Sequence, residues 1–301
     1  MFTAVDDVSL SLEENRTIGI VGESGSGKTT LAKLILGIEK PDSGSITVAG
    51  SDISAISAKE LKALRPKIQV IFQDPYSSMD PRMKVRDIVL EPVRINKTVR
   101  EPAKLEELAV SLLRSVGLGE DALDRYPHEF SGGQRQRICI ARALSLKPSV
   151  IIADEPISSL DISIQAQIMN LLNELKEKYK LSYIFISHDL SAVYYLCDHV
   201  AVMYKGNVVE YARSGELFSN TQHPYTKLLL SAVPDPDPDK KSALAERKDG
   251  NAGLSGGTGN GSCVFSDRCP YAEPRCVAGR PPDAEIAPGH FARCVVLPFK
   301  K

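Results

Sequence analysis

The most restrictive feature of the sequence is a glycine-rich loop between a short apolar segment and a helical pattern. Residues 22–29 read Gly-Glu-Ser-Gly-Ser-Gly-Lys-Thr and fit the pattern G-x-x-x-x-G-K-[ST]. The apolar segment 18–21 precedes the loop, and the helix that follows it is predicted to end at Gly37. Glycines let backbone N–H groups turn inward around phosphate oxygens, and the helix N-terminus adds the positive end of its dipole. The sequence therefore predicts a phosphate-binding loop, since a chance glycine-rich turn would lack the flanking strand and helix.

A pair of acids is the second motif with chemical meaning. Asp154 and Glu155 directly follow the apolar segment 150–153, and an acid at the end of a buried parallel strand lies where ligands bind. We expect Lys28 to reach the β- and γ-phosphates of a nucleotide, and the Thr29 hydroxyl to ligate magnesium. Asp154 would hold magnesium through water, and Glu155 would polarise the attacking water as general base. Two acids after a strand are often only a helix cap, but a phosphate-binding loop in the same α/β unit favours catalysis.

A second turn of the anion-binding type opens another helix. Residues 131–134 read Ser-Gly-Gly-Gln and precede a helix predicted to run from Arg135 to Leu144. A Ser-Gly-Gly turn at a helix start suits an anion, although a plain N-cap has the same sequence. Two separate phosphate-binding turns are unusual in one chain.

The rest of the chain predicts an α/β fold with added segments. Apolar strands alternate with amphipathic helices over residues 1–230, as in a mainly parallel sheet, and Asp161 is predicted to cap one of the helices. Residues 74–148 are richer in charge and predict a helical subdomain. A flexible linker is predicted at 231–262, and a Cys-containing extension at 263–301. The predicted strands are 18–21, 67–72, 150–153 and 183–186.

Taken in this order, the loop, the Ser-Gly-Gly-Gln turn and the acid pair resemble the ATP-binding-cassette (ABC) family. The resemblance identifies Gln73 with the Q-loop glutamine, which contacts magnesium and senses the transmembrane partner. It identifies His188 with the switch histidine that contacts the γ-phosphate, and 159–161 with the D-loop. The implied fold is that of a P-loop NTPase with a helical subdomain, and the implied cofactors are ATP and Mg²⁺.

The same resemblance assigns the residues of the ATP site. It implies a head-to-tail dimer in which the turn of one subunit covers the ATP held by the other. Magnesium would be held through Thr29, Gln73 and Asp154, and Glu155 and His188 would be catalytic. The expected ATP-binding residues are Gly22, Glu23, Ser24, Gly25, Ser26, Gly27, Lys28, Thr29, Thr30 and Gln73. The expected signature residues, acting on the partner's ATP, are Ser131, Gly132, Gly133 and Gln134.

Three further segments narrow the resemblance to the ATP-binding subunits of oligopeptide/dipeptide permeases. They are 73–83, 125–130 and 223–234. The narrower resemblance implies a second ATP-binding subunit, two transmembrane permease subunits and an extracytoplasmic substrate-binding protein. It also implies a peripheral location on the cytoplasmic face of the membrane.

The sequence departs from the family pattern at its start and at two single positions. Family members have an earlier strand with an aromatic residue that stacks on adenine, whereas Phe2 lies too close to the loop for that role. Phe130 and Ile157 replace the commoner Leu and Thr, and neither change removes a group needed for hydrolysis.

Two alternative functions remain open. Nickel or another small solute is an alternative cargo, and a soluble ABC ATPase acting on DNA or ribosomes is an alternative class.

Composition argues against several other classes of protein. The net charge is −1, so no global positive field attracts nucleic acid, and no nucleic-acid partner is expected. No apolar run approaches the ~20 residues that cross a bilayer, and the first residues do not resemble a signal peptide. We therefore expect a cytoplasmic protein that meets the membrane through a partner.

Four cysteines cluster in the extension. In a reducing compartment disulfides do not persist, and four thiolates suit zinc or an iron–sulfur cluster. The spacing lacks the paired C-x2-C of zinc ribbons. The family resemblance favours a [4Fe-4S] cluster, while zinc or no metal remain alternatives. The expected ligands are Cys263, Cys269, Cys276 and Cys294.

Overall fold

The computed structural model describes residues 3–232 and 261–297, which fall into two compact units. The terminal unit comprises the described residues of Met1–Ser11, Ile18–Thr30 and Ser187–Lys301. The central unit comprises Leu12–Thr17 and Leu31–Ile186. Phe2 and most of the predicted linker lie outside the described residues.

The described residues form ten strands and ten α-helices. The strands are β1 (Thr17–Val21), β2 (Thr47–Val48), β3 (Ser51–Asp52), β4 (Ile68–Ile71), β5 (Val150–Asp154), β6 (Ser182–Ile186), β7 (His199–Tyr204), β8 (Asn207–Arg213), β9 (Ala284–Ala287) and β10 (His290–Ala292). The helices are α1 (Lys28–Ile35), α2 (Ala58–Leu64), α3 (Val85–Asn96), α4 (Pro102–Ser115), α5 (Gly132–Leu144), α6 (Ile162–Tyr179), α7 (Leu190–Leu196), α8 (Ser214–Ser219), α9 (Pro224–Ser231) and α10 (Pro274–Ala278).

A parallel sheet is the centre of the central unit. Strand β5 pairs in parallel with β4 on one side and with β6 on the other. Every residue of β6 is buried, as are the three middle residues of β5. Continuous apolar strands of this kind are typical of a sheet covered on both faces. The strands predicted at 67–72, 150–153 and 183–186 are confirmed to within one residue at each end.

Helices occupy the chain between β4 and β5. The described residues there contain α3, α4, α5 and the short 3₁₀ helices Glu120–Asp124 and Pro127–Glu129, with no strand. Helix α5 contacts α3, α4 and α6. Its buried residues include Ile138 and Ile140, so this helix is the packing centre of the helical segment.

The helix after the acid pair shows one difference from expectation. Helix α6 buries Ile168, Leu171 and Leu175 on the predicted face. Asp161 lies at its N-cap position, but its side chain makes no capping hydrogen bond. The Asp161 carbonyl accepts the first backbone hydrogen bond of the helix, from the Gln165 N–H at 2.8 Å. The predicted N-cap position of Asp161 is therefore confirmed, although its side chain does not cap the helix.

The terminal unit contains a mixed sheet to which the extension contributes. Its strand order is β1-β7-β8-β10-β9, with β1 and β7 parallel and the remaining pairs antiparallel. Strand β10 pairs Phe291 with Tyr211 of β8. The sequence patterns do not predict β9 and β10, because segments of four and three residues are too short to show a period of two.

Candidate functional site

The glycine-rich loop follows β1 and opens α1, as the sequence pattern predicts. Gly22 and Gly27 have φ angles of +153° and +103°. A Cβ on Gly22 would lie 2.1 Å from the Met203 carbonyl oxygen, and one on Gly27 would lie 2.4 Å from that of Ala4. Both distances are shorter than real Cβ contacts, so backbone conformation and space each require glycine at these two positions.

Lys28 lies folded against its own loop. Its ammonium group donates hydrogen bonds to the carbonyl oxygens of Gly22 at 2.8 Å and Glu23 at 2.9 Å, and the residue is 7% exposed. A residue distant in sequence also holds the loop: the Gly206 N–H donates to the Ser26 carbonyl at 2.9 Å. The ammonium group is thus held within the loop by the loop's own carbonyl oxygens.

Glu23 is held by residues that lie far along the chain. Its backbone N–H donates to the Tyr225 hydroxyl at 2.9 Å. Its carboxylate accepts two hydrogen bonds from the Arg268 guanidinium, at 2.8 and 3.0 Å. The hydrogen bond from Arg268 holds the pKa of Glu23 below its usual range. The sequence does not predict a role for Tyr225 or Arg268, because no local pattern links them to a loop some 200 residues earlier.

The acid pair and Gln73 come together in the central unit. Asp154 is the last residue of β5 and is half-buried, and Glu155 follows it with a φ of +48°. The Glu155 N–H donates to the Ile186 carbonyl at 2.9 Å. Its carboxylate accepts a 2.9 Å hydrogen bond from the Gln73 side-chain amide. A left-handed conformation is uncommon for a residue with a side chain, and such residues cluster at functional sites.

His188 lies exposed in the terminal unit, two residues beyond the end of β6. The next residue, Asp189, caps α7 by accepting hydrogen bonds from the N–H groups of Ser191 and Ala192. The terminal unit therefore carries the loop and His188, and the central unit carries Gln73 and the acid pair.

The Ser-Gly-Gly-Gln turn forms a capping box at the start of α5. The Ser131 hydroxyl accepts from the Gln134 N–H at 3.3 Å, and the Gln134 side chain accepts from the Ser131 N–H at 3.0 Å. A Cβ on Gly133 would lie 2.5 Å from a methyl carbon of Ile164 on α6. Gly133 is thus required for helix packing, while Ser131, Gly132 and Gln134 remain exposed at the helix N-terminus.

The four cysteines of the extension are buried free thiols. The Cys263 N–H donates to the Cys276 carbonyl at 2.8 Å. Burial raises the pKa of Cys269 to about 12, and the other three cysteines add to this effect. Among the described residues, however, no group of three or more His, Cys, Asp or Glu side chains could hold a metal ion. The thiols have the donor type expected for an iron–sulfur cluster, but their arrangement is not a metal site.

A buried acid joins the extension to β8. The side chain of Glu210 accepts from the N–H groups of Gln222 at 2.7 Å and His223 at 2.9 Å. It also pairs with His290 Nε2 at 2.9 Å, while His290 Nδ1 lies 3.4 Å from Glu216. The bond to Glu210 raises the pKa of His290, whereas burial lowers the pKa of His223 to about 4. No local sequence pattern predicts this network, because its members are distant in sequence.

No described helix combines the length and apolar character needed to span a bilayer.

Comparison with known proteins gives consistent matches. A family profile described as ABC transporter matches residues 5–158, and one described as oligopeptide/dipeptide transporter, C-terminal region, matches residues 209–276. The oligopeptide transport ATP-binding protein AppF of Bacillus subtilis (strain 168) is 48% identical over 297 residues, which cover 97% of this chain and 88% of AppF. OppF of Haemophilus influenzae, also an oligopeptide transport ATP-binding protein, is 45% identical over 293 residues, with the same two coverages.

Solved structures match a smaller share of the chain. The dimeric structure of a post-hydrolysis state of the ATP-binding cassette MJ0796, bound to ADP and Pi, superposes with a TM-score of 0.64. It is 27% identical to this chain, and the match covers 71% of this chain and 91% of that one.

Proposed function

Because this chain belongs to the ABC transporter family, we propose that it is the ATP-hydrolysing subunit that powers an oligopeptide/dipeptide importer. The observation that carries this proposal is the coincidence of two features. The chain has the phosphate-binding loop at 22–29, and it is similar over 97% of its length to oligopeptide transport ATP-binding proteins.

The loop is the proposed binding site for the phosphates of ATP. The glycine conformations leave room for the backbone N–H groups to face phosphate oxygens. Among the described residues, nothing but Gly25 and its two chain neighbours has an atom within 4 Å of a Cβ built on Gly25. Lys28 would exchange its carbonyl partners for the β- and γ-phosphates. The oxygen donors of Thr29, Gln73 and Asp154 are of the type that Mg²⁺ prefers. When bound, the ion neutralises charge that develops on the phosphates.

Hydrolysis is assigned to Glu155 as general base. Its carboxylate takes a proton from the attacking water, and the hydrogen bond from Gln73 holds the carboxylate in place. His188 would contact the γ-phosphate. The exposed residues Ser131 and Gln134, with the N-terminus of α5, would cover the ATP of a second subunit in a head-to-tail dimer.

An importer of this kind also needs partner subunits. We assign it a second ATP-binding subunit, two transmembrane permease subunits and an extracytoplasmic substrate-binding protein, on the cytoplasmic face of the membrane. Closure of the dimer on two ATP molecules and its reopening after hydrolysis would drive the membrane subunits between two states.

A [4Fe-4S] cluster on the four extension cysteines is a separate proposal, supported by the donor type alone. The structure gives these thiols no arrangement that fits a metal, so no step above depends on the cluster. Anaerobically purified protein should contain about four iron atoms and four sulfides per chain. Zinc instead of iron, or no metal, would refute the proposal without touching the ATPase assignment.

The test of the importer is uptake of a labelled short peptide, with nickel in parallel. Cells carrying the wild-type chain should take up peptide, and cells carrying Glu155→Gln should not. Loss of nickel uptake with unchanged peptide uptake would move the cargo to nickel. If neither changed in a strain without a redundant ATPase, both cargoes would be rejected.

A further inference from the structure

We propose that Arg268, in the Cys-containing extension, is a positioning residue for the phosphate-binding loop, because it neutralises and orients Glu23. The proposal rests on the proposed role of residues 22–29 in binding ATP. It assigns the extension a part in nucleotide affinity that needs neither a metal nor a change in the state of the cysteines.

The contact itself is a two-point ion pair. Both terminal nitrogens of the Arg268 guanidinium donate to the Glu23 carboxylate, at 2.8 and 3.0 Å, across 245 residues of sequence. This fork geometry fixes the direction of both side chains, which a single contact would not do. The Glu23 backbone is fixed separately by the Tyr225 hydroxyl. The second residue of the loop is therefore held at its main chain and at its side chain.

Arg268 is itself held by buried aromatic rings. Its guanidinium lies 5.7 Å from the ring centre of Tyr204 and 5.8 Å from that of Phe265, and it donates to the Tyr204 hydroxyl at 3.3 Å. Both rings are almost fully buried, and Phe265 also contacts Tyr225. The neighbouring ion pair between Lys205 and Asp267, at 2.9 Å, fixes the chain beside it. The aromatic contacts and the neighbouring ion pair thus hold the guanidinium in place beside the loop.

The charge of Glu23 gives this contact a functional consequence. The loop attracts phosphates with N–H groups and with the ammonium of Lys28, and Glu23 is the one acid within residues 22–29. An unpaired carboxylate there would oppose the negative charge of ATP. Arg268 balances it. Since both side chains are 43% exposed, solvent and salt reduce the effect but do not abolish it at low ionic strength.

A purely structural ion pair would behave differently. If Arg268 only attached the extension, its loss would affect nucleotide binding through general loosening, and the charge of Glu23 would not matter. Arg280 provides the matched control. It joins the same extension to Asp6 at 3.2 Å and to Asn207 at 2.9 Å, and neither partner belongs to the loop.

The experiment measures the Kd of a fluorescent ATP analogue for the full-length chain at low salt. We expect Arg268→Met, which keeps an apolar stem over the rings, to weaken binding about three- to fivefold. Glu23→Gln in the Arg268→Met background should restore the wild-type Kd. The single variant Arg268→Lys keeps the positive charge, so its Kd should be close to that of the wild type. Arg280→Met should lower the thermal midpoint without changing the Kd.

Two results would overturn the proposal: an Arg268→Met protein that binds like the wild type, or a double variant that binds as weakly as Arg268→Met. Circular dichroism of each variant excludes misfolding as the cause. If neither the wild type nor Lys28→Ala bound the analogue, the proposed role of residues 22–29 in binding ATP would be rejected instead.

Discussion

The side-chain amide of Gln73 donates a 2.9 Å hydrogen bond to the carboxylate of Glu155, across 82 residues of sequence. Gln73 lies just beyond the end of β4, and Glu155 just beyond the end of β5. Because these strands are parallel neighbours, their ends bring the two side chains to one edge of the sheet. The position of the proposed base thus depends on a side chain from the segment that follows β4.

Replacing Gln73 by Glu would place a second carboxylate beside the proposed base. The two carboxylates would repel each other, and Glu155 would lose the hydrogen bond from the Gln73 amide. We therefore expect kcat to fall by about tenfold or more in Gln73→Glu, and by less in Gln73→Ala, which removes the amide without adding a charge. Phosphate release by the two variants measures both effects. Equal rates in the two variants would show that a charge beside Glu155 has no effect on hydrolysis.

Replacing Glu155 by Gln should separate binding from turnover. The amide keeps the size of the side chain but cannot accept a proton, so kcat should fall by about 10²- to 10⁴-fold while ATP remains bound. Phosphate release and nucleotide retention on the same sample measure both effects. Glu174→Gln, an exposed change on α6, is the control and should hydrolyse ATP normally. Wild-type turnover in Glu155→Gln would remove the general-base assignment.

Two glycines of the loop distinguish the effect of backbone strain from that of steric overlap on the free energy of unfolding. Gly25 and Gly27 both have positive φ angles, +78° and +103°. A Cβ on Gly25 meets open space, whereas one on Gly27 lies 2.4 Å from the Ala4 carbonyl oxygen. Gly25→Ala should lower the free energy of unfolding by about 1 kcal/mol through backbone strain alone. Gly27→Ala should lower it by about 3 kcal/mol or more, since overlap is added. Urea unfolding compares them, and equal losses would contradict the geometry.

The buried histidines predict opposing effects of pH on stability. Glu210 raises the pKa of His290, so the stability from that pair is complete below pH 6.5 and is lost as the pH rises through the raised value. The pKa of His223 is lowered to about 4, so its contribution is present above about pH 6.5 and is lost as the pH falls toward 4. Urea midpoints across this range should show both losses.

Two variants test which histidine causes each loss of stability, the one at alkaline pH and the one at acidic pH. His290→Gln should remove the alkaline loss, because Glu210 and Glu216 no longer face a titrating ring. His223→Asn should remove the acidic loss while offering an acceptor to the Tyr225 N–H, which now bonds His223 Nδ1. A profile of His290→Gln identical to the wild type above pH 7 would show that another group titrates there.

Local sequence patterns predict β1, β4, β5 and β6 and the helical segment between β4 and β5, and they miss the other strands and most long-range contacts. The strand and helix around residues 22–29 follow from hydrophobic periodicity and glycine placement, which act over a few residues. The pair of Arg268 with Glu23 and that of His290 with Glu210 depend on how the extension packs, and neither sequence neighbourhood signals a partner. Asp161 occupies the predicted N-cap position without a side-chain bond, because residue preference indicates the position of a cap and not the rotamer of its side chain.

Strand β10 has a consequence for solubility as well as for architecture. It occupies the side of β8 that β7 leaves open, and β9 then covers β10. Without the extension, the seven-residue strand β8 would present an unpaired row of N–H and C=O groups, which can recruit strands from other molecules. The outermost strand is instead the four-residue β9, which carries the exposed Glu285. Short length and an outward charge are both features that discourage edge-to-edge aggregation, so the extension protects the sheet from self-association.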